Sequence, residues 1–456
     1  MPHRSHISRF SPSIPKTNTM KPLQQNTPMS WQVCYCLDFG FCFNYPKDYW
    51  AGYFDTLASY GYNTVMLWVA GAMPVPGFEK TLAWRCDHTP GIVDALHKRG
   101  MSVYLMTGVF GWLGMSPGLL NMRPDIEITW PDKLKAQYPR DSSRRGLCPT
   151  KSRDLCLDYV AAHYAACPQA DGMSLEVFCE KTHCQCAACQ AKGLWRIETE
   201  FLREAAQRIW RINPNARIIW NLGYERTHGE PPESDLYDAV RAMKDPRLIW
   251  WLVRMKQGYK DRQGARHEWM APAEIASLGA NVLTFPGDPD EIAATRAAGC
   301  LGAVFVDPQV RNMFLPEYES RHFGYFVDAP PAQPPVWDHP LFHLRAFRRQ
   351  QQFLGRAPDD NAFAQLVAHR FCEGDESAAR DALFLEDLIL NKRVCLFRSA
   401  GRVWGDLDGG DTLKTAALDP GAASRLRSIA TWPARTAWRH GLAASAAALL
   451  QLAKGL

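Results

Sequence analysis

An α/β chain built as a (β/α)8 barrel with a helical C-terminal module is what three observations predict. Eight short β-rich apolar runs recur between residues 32 and 307, each followed by a helical pattern, and eight units over about 290 residues is that barrel's strand count. No G-x-G-x-x-G and no P-loop follows a run, so the glycine signature of an open doubly wound sheet is missing. Past a proline-rich stretch near residue 330 the apolar period becomes purely helical.

The runs occupy 32–39, 63–69, 101–107, 172–178, 216–222, 247–253, 280–285 and 301–307. Helix punctuation stands between them. Thr89-Pro90 supplies an N-cap and an N1 proline, and Gly100 ends that helix. Asp288-Pro289-Asp290-Glu291 supplies cap, N1 proline and capping acid, with Gly299 closing the helix. Gly61 and Gly279 sit just past two further helices. Over 194–210, Leu194, Ile197, Phe201, Ala205 and Ile209 share one helical face, and Asn213-Pro214 terminates it. The longest connection, 108–150, carries Trp112, Trp130 and Tyr138. Long loops are uncommon unless functional, so it reads as a substrate wall or as a structural cap on the barrel.

Residues 1–30 are acid-free and rich in proline, and read as a disordered tail without the apolar stretch of a secretory signal. The barrel is expected over 31–328, a stiff linker over 329–336 and the helical module over 337–456, with helices at 339–354, 376–392 and 441–454. The net charge is +5, but Arg4, Arg9, Lys16 and Lys21 of the tail supply four of those charges. The remainder is nearly neutral, with no basic face for nucleic acid. No apolar run approaches the ~18 residues that span a bilayer. The 14 cysteines, in a chain without an export signal, read as thiols or metal ligands in a cytoplasmic protein. A homodimer through the C-terminal helices is the one protein partnership the sequence leaves open.

One apparent motif carries nothing. Gly114-Met115-Ser116-Pro117-Gly118 fits the nucleophile-elbow string, but Pro117 has no N–H to serve as the oxyanion donor. His267-Glu268 lacks the second histidine of a zincin.

The informative segment is 171–190. Strand alternation puts Ser174, Glu176, Phe178 and Glu180 on one face. If that face is the barrel interior, Glu180 stands at the mouth and Glu176 one layer deeper, where burial raises a carboxyl pKa as a general acid requires. Glu176 reads equally as a structural acid paired to an interior cation, and Glu180 as a solvated loop acid. Cys184-x-Cys186-x-x-Cys189 follows directly, with Cys179 beside it and Cys148 on the preceding loop. Thiolates so spaced can wrap a tetrahedral zinc or simply pack as reduced thiols.

A fourth strand ending in Glu176 or Glu180 and running into Cys184, Cys186 and Cys189, with Leu147-Cys148-Pro149-Thr150 opening the helix before it, resembles TIM-barrel glycoside hydrolases of the α-glucuronidase and hexosaminidase-like kind. Residues 224–232 after the fifth strand are similar too, and the resemblance spans roughly 30–330. It implies cleavage of glycosidic bonds with an acid at the end of strand 4. The adjacent Asp-Glu pair of hexosaminidases is absent here.

Glycosidases usually need two carboxyls. Glu225 after strand 5 and Asp307 at the end of strand 8 are candidates for base or nucleophile beside Glu180 and Glu176. Asp38, Trp68, Trp112, Tyr224 and Arg254 are candidate substrate contacts: hydroxyl binder, sugar platforms and a clamp for a uronic carboxylate. Trp68, Trp112 and Trp220 read as core or as platforms. The leading expectation is a glycoside hydrolase acting on a carbohydrate, needing no cofactor for catalysis, with a structural zinc as the metal option. A non-catalytic carbohydrate-binding barrel and a metal-dependent barrel hydrolase are the alternatives. Against the last, a closed all-cysteine site leaves no coordination position open for chemistry.

Overall fold

The computed structural model describes residues 29–36, 47–68, 89–110, 120, 123–129, 146–176, 184–222, 240–253, 259–260, 266–267, 278–279, 281–286, 289–306, 339–356, 359–388, 420–433 and 435–454. Eight parallel strands close into a barrel: β1 Trp31–Cys36, β2 Thr64–Trp68, β3 Ser102–Gly108, β4 Gly172–Glu176, β5 Arg217–Leu222, β6 Leu248–Val253, β7 Val282–Phe285 and β8 Gly302–Val306. Each strand pairs with its neighbours in sequence, and β1 pairs with β8 to complete the ring. All eight expected runs are strands of this barrel. Outside it, Tyr259–Lys260 and Arg266–His267 form a short antiparallel pair.

Alternation along each strand separates two cores. Cys34, Val65, Leu105, Leu175, Trp220, Trp250 and Phe305 belong to the buried cluster shared with the surrounding helices. Val33, Met66, Met106, Ile219, Ile249, Leu283 and Val304 are equally buried but lie outside that cluster, filling the lumen. At the N-terminal end of the lumen, Trp31 and Tyr104 rings sit 5.7 Å apart, with the Arg217 guanidinium 5.6 Å from the Trp31 ring. Backbone approaches closely there: a Cβ at Gly172 would fall 1.8 Å from the Arg217 carbonyl oxygen, so only glycine fits. This end is plugged, leaving the C-terminal end of the strands for chemistry.

The helices are α1 Lys47–Ser59, α2 Thr89–His97, α3 Arg153–Ala165, α4 Ala187–Lys192, α5 Leu194–Ile212, α6 Pro289–Ala297, α7 Pro340–Leu354, α8 Asp360–Phe371, α9 Glu376–Glu386, α10 Pro420–Ala430 and α11 Ala437–Lys454. Their apolar faces pack on the outward strand residues; Phe110 after β3 meets Phe201 of α5 at 4.9 Å between ring centroids. Gly61, Gly100, Gly279 and Gly299 all have positive φ, the left-handed backbone that stops a helix.

The first helix beyond residue 338 belongs to the barrel's outer ring. Phe342 of α7 meets Tyr53 of α1 at 5.6 Å, and His343 Nδ1 hydrogen-bonds the Tyr60 hydroxyl at 2.9 Å. On its other side α7 contacts α6, where Arg296 donates to the Phe353 carbonyl. α7 therefore fills the place of the eighth barrel helix. The remaining helices pack behind it: Arg348 of α7 pairs with Glu386 of α9 at 2.6 Å, and Phe371 of α8 stacks on Trp438 of α11 at 4.4 Å. Helices α8 and α10 were not among the expected ones. No described helix is long and apolar enough to cross a membrane.

Two buried histidines make the fold acid-sensitive. Burial pushes His163 of α3 down to about 4, and burial together with the nearby His343 pushes His339 down to about 3. His339 Nδ1 accepts from the Leu341 N–H, so its neutral tautomer caps α7. In the unfolded chain both rings gain a proton as pH falls through about 6.5, while the folded rings stay neutral. Stability is therefore lost downward from about pH 6.5, by about 2 kcal/mol per histidine at pH 5. Urea unfolding at pH 7 and pH 5 should show this loss, and His163→Leu should remove about half of the histidine contribution. An unchanged pH dependence in that variant would contradict the assignment.

Candidate active site

The C-terminal end of the lumen carries an acid, an amide and two aromatic rings. Glu176 is the last residue of β4 and is only 2% exposed. It shares the inward parity of Ser174, opposite to the outward Met173 and Leu175 of the helix-facing core. Gly108 of β3 pairs with Glu176, so no side chain from that strand crowds the carboxyl. On the other side the β4–β5 register runs Leu175 against Trp220, which brings Asn221 level with Glu176. Asn221 pairs in turn with Trp251 of β6. Adjacent strands lie about 4.8 Å apart, so these three inward side chains are lateral neighbours.

Asn221 is 5% exposed, and neither its amide nitrogen nor its oxygen has a hydrogen-bond partner among the described residues. A buried amide with neither atom paired costs free energy unless something fills the site. Trp251 lies 6.3 Å from Phe285 of β7, ring to ring, extending the wall away from Glu176. An acid, a bidentate amide and flat apolar rings are the groups that take a sugar's hydroxyls and its apolar face.

A second assembly flanks the ends of β3 and β4. The sulfur of Cys148 stands 3.6 Å from that of Cys184 and 3.7 Å from those of Cys186 and Cys189. All four sulfurs lie within 4.8 Å of one another. Disulfide sulfurs would be about 2.0 Å apart, and all four cysteines are free. Four thiolates about 2.3 Å from a central zinc would be about 3.8 Å from each other. The spacing of this cluster therefore fits one tetrahedral ion. Hydrogen bonding from Cys184, with further donors at Thr150 and the Lys151 backbone, holds the Cys148 thiol well below the ordinary thiol range, which favours a thiolate ligand.

The local chain explains the convergence. Cys148 precedes the turn into α3, and Cys186 is the N-cap of α4, its sulfur accepting from the Cys189 N–H. Thr150 Oγ1 sits 3.2 Å from the Cys189 sulfur, and the Thr129 N–H donates to that of Cys184 at 3.4 Å.

Of the residues singled out in the sequence, Glu176, Cys148, Cys184, Cys186 and Cys189 are placed, and the four cysteines come together. Glu180, Glu225, Asp307, Asp38, Trp112, Tyr224, Arg254 and Cys179 lie outside the described residues, and for Trp68 only the backbone is described. Trp220 is no sugar platform: it points outward, fully buried, and its indole N–H donates to Glu198 of α5 at 2.7 Å. Asn221, Trp251 and Phe285 were not singled out. The signal was there: counting by twos from inward Ile219 and Ile249 reaches Asn221 and Trp251.

No protein-family description matches the chain, and no curated protein matches it. Solved structures do. A GH138 enzyme targeting pectin rhamnogalacturonan II is 11% identical with a TM-score of 0.50, over 96% of this chain and 58% of that one. The Flavobacterium johnsoniae chitobiase is 12% identical, TM-score 0.41, over 78% and 57%. The α-L-fucosidase isoenzyme 2 from Paenibacillus thiaminolyticus is 14% identical, TM-score 0.37, over 61% and 46%. The chain thus spans about half the length of these neighbours. A shared barrel does not by itself carry the chemistry. What the likeness establishes is the architecture, a TIM barrel of the kind on which those glycoside hydrolases are built.

Proposed function

We propose that this protein is a glycoside hydrolase whose substrate enters the C-terminal end of the barrel. The observation that carries the reading is the inward carboxyl of Glu176 beside the unpaired Asn221 amide, in a lumen walled by Trp251 and Phe285. The solved barrels that resemble the chain support it at the level of fold. In this reading Glu180, four residues beyond Glu176, protonates the leaving oxygen as the bond to the anomeric carbon breaks. Glu225 or Asp307 acts as base or nucleophile, and water supplies the new hydroxyl. Asn221 takes two sugar hydroxyls, donating through Nδ2 and accepting through Oδ1.

The test is turnover of a panel of aryl glycosides and oligosaccharides that includes uronic acids and 6-deoxy sugars. Cleavage of at least one is expected. Asn221→Ala should raise KM about tenfold, the net loss of the two hydrogen bonds it makes to sugar hydroxyls, with a smaller change in kcat. Binding of a glycan without cleavage would instead favour a carbohydrate-binding barrel.

The same reading makes the four-cysteine cluster a structural zinc site. Soft thiolates in tetrahedral array select zinc or iron, and the short sulfur–sulfur distances leave no room for a multi-iron cluster between them. Four protein ligands complete the shell, so the ion would supply folding energy and no catalytic water. The free thiols among the described cysteines suit a reducing, cytoplasmic setting.

A further inference from the structure

We infer that the zinc ion of the four-cysteine site is a clamp joining two loop roots at the barrel mouth, so that losing it loosens the mouth while the barrel stays folded. The inference rests on the zinc reading of that cluster. Its ligands come from two different βα connections: Cys148 from the one after β3, and Cys184, Cys186 and Cys189 from the one after β4.

Ile126, Ile128, Leu147 and Cys148 of the first connection and Cys184 and Cys189 of the second share the buried core, and hydrogen bonds among the described residues join the roots. In the connection after β3, the Ile128 N–H donates to the Gly146 carbonyl at 3.0 Å and the Cys148 N–H to that of Ile126 at 2.7 Å, which joins residues 126–128 to 146–148. The Leu147 N–H donates to the Phe110 carbonyl at 2.6 Å, seating this knot just past the end of β3. The connection after β4 meets it through the Gln185 N–H and the Thr129 carbonyl, 2.8 Å apart, and through the Cys184 sulfur. In the sequence the seven residues 177–183, Glu180 among them, lie between Glu176 and Cys184. Strand pairing fixes the first of those ends, since the Val109 N–H donates to the Glu176 carbonyl at 3.0 Å. The sulfur cluster fixes the second. Among the described residues one backbone hydrogen bond joins the two connections, beside the contacts of the Cys184 and Cys189 sulfurs with Thr129 and Thr150; an ion there adds a four-bonded junction and sets where the chain re-enters α4 relative to the end of β4.

The barrel does not depend on the junction in the same way. Its strands are closed by their own ladders and by the helix-facing core, to which α7 and α8 contribute from the far end of the chain. Local opening of the junction is therefore expected to be separable from global unfolding.

The experiment uses the full-length protein, purified under reducing, oxygen-free conditions. Metal content comes first: one zinc per chain is expected, and cobalt(II) added to the stripped protein should give the intense thiolate-to-metal absorption of a tetrahedral sulfur site. No bound zinc and no cobalt spectrum would overturn the zinc reading itself. Amide exchange then compares zinc-loaded protein, chelator-stripped protein and Cys148→Ser. Peptides covering 123–129, 146–152 and 184–193 should exchange faster without metal by a factor at least about tenfold greater than any change over β1, β2, β8 and α7. Metal bound in full but exchange unaltered by stripping would overturn the clamp and leave the zinc reading standing. An equal acceleration in every strand and at the junction would also overturn it, because the ion would then be holding the whole fold and not the mouth. If Cys148→Ser does not fold, the half-buried ligand Cys186 takes its place as Cys186→Ser, read in the same way.

Discussion

Glu180→Gln is expected to lower cleavage of an unactivated glycoside by about 10²–10⁴ while largely sparing an aryl glycoside whose leaving group needs no proton. The reason lies in what a general acid does. It delivers a proton to an oxygen that is otherwise too basic to leave, so its removal matters in proportion to that basicity. Glu176→Gln is expected to behave differently. Glu176 is buried at the end of β4, four residues before Glu180 in the sequence. Its replacement should depress both substrates alike if it positions sugar hydroxyls together with Asn221. Rates on matched pairs of natural and aryl glycosides check both statements. Should the contrast between substrates appear for Glu176→Gln instead, the acid lies one layer deeper in the lumen.

The second large effect concerns the thiols. Cys148→Ser should abolish stoichiometric zinc binding, and with it the stabilisation that a thousandfold excess of ligand over its dissociation constant confers, about 4 kcal/mol. Cys156→Ser is the control. Cys156 is fully buried on α3, its thiol pushed up to about 12 by burial and donating to Ser152. It should keep the full complement of zinc. Denaturation with and without added zinc separates the cases: a zinc-dependent midpoint is expected for the native chain and for Cys156→Ser, and a zinc-independent one for Cys148→Ser. Zinc dependence persisting in Cys148→Ser would mean that the ion is held elsewhere.

The barrel was legible because its strands are buried on both faces and therefore read as continuous apolar runs, several of them preceded by a glycine that ends a helix. The cysteine site was legible because three of its ligands lie within six residues and Cys148 stands in a segment of its own kind. The two unexpected helices have marked starts. Asp359 caps α8 by accepting from the Ala362 N–H, and Asp419-Pro420 has the pattern of a cap with an N1 proline at the start of α10. The proline-rich stretch before residue 338 suggested a break between barrel and helical module, yet α7 packs between α1 and α6. Loop-closure cost grows only slowly with length, so a long connection does not prevent a helix from completing the ring.

The mouth was less legible. Alternation identifies an inward side chain only while the chain remains a strand, and Asp38, Glu180, Glu225, Arg254 and Asp307 all lie outside the described residues. Asn221 and Trp251 lie within strands and could have been found by parity. Neither carries an ionisable group, and the marker at β5 is a neutral amide buried without a partner among the described residues.

The most direct test of sugar cleavage at this end of the barrel is the release of new reducing ends from a glycoside panel, by the native chain in parallel with a Glu176→Gln/Glu180→Gln double variant confirmed to be folded. The native chain should cleave at least one glycoside, and the double variant should cleave none of them at a comparable rate. Equal release by both, or no release by the native chain from any member of the panel, would contradict a glycosidase centred on the end of β4.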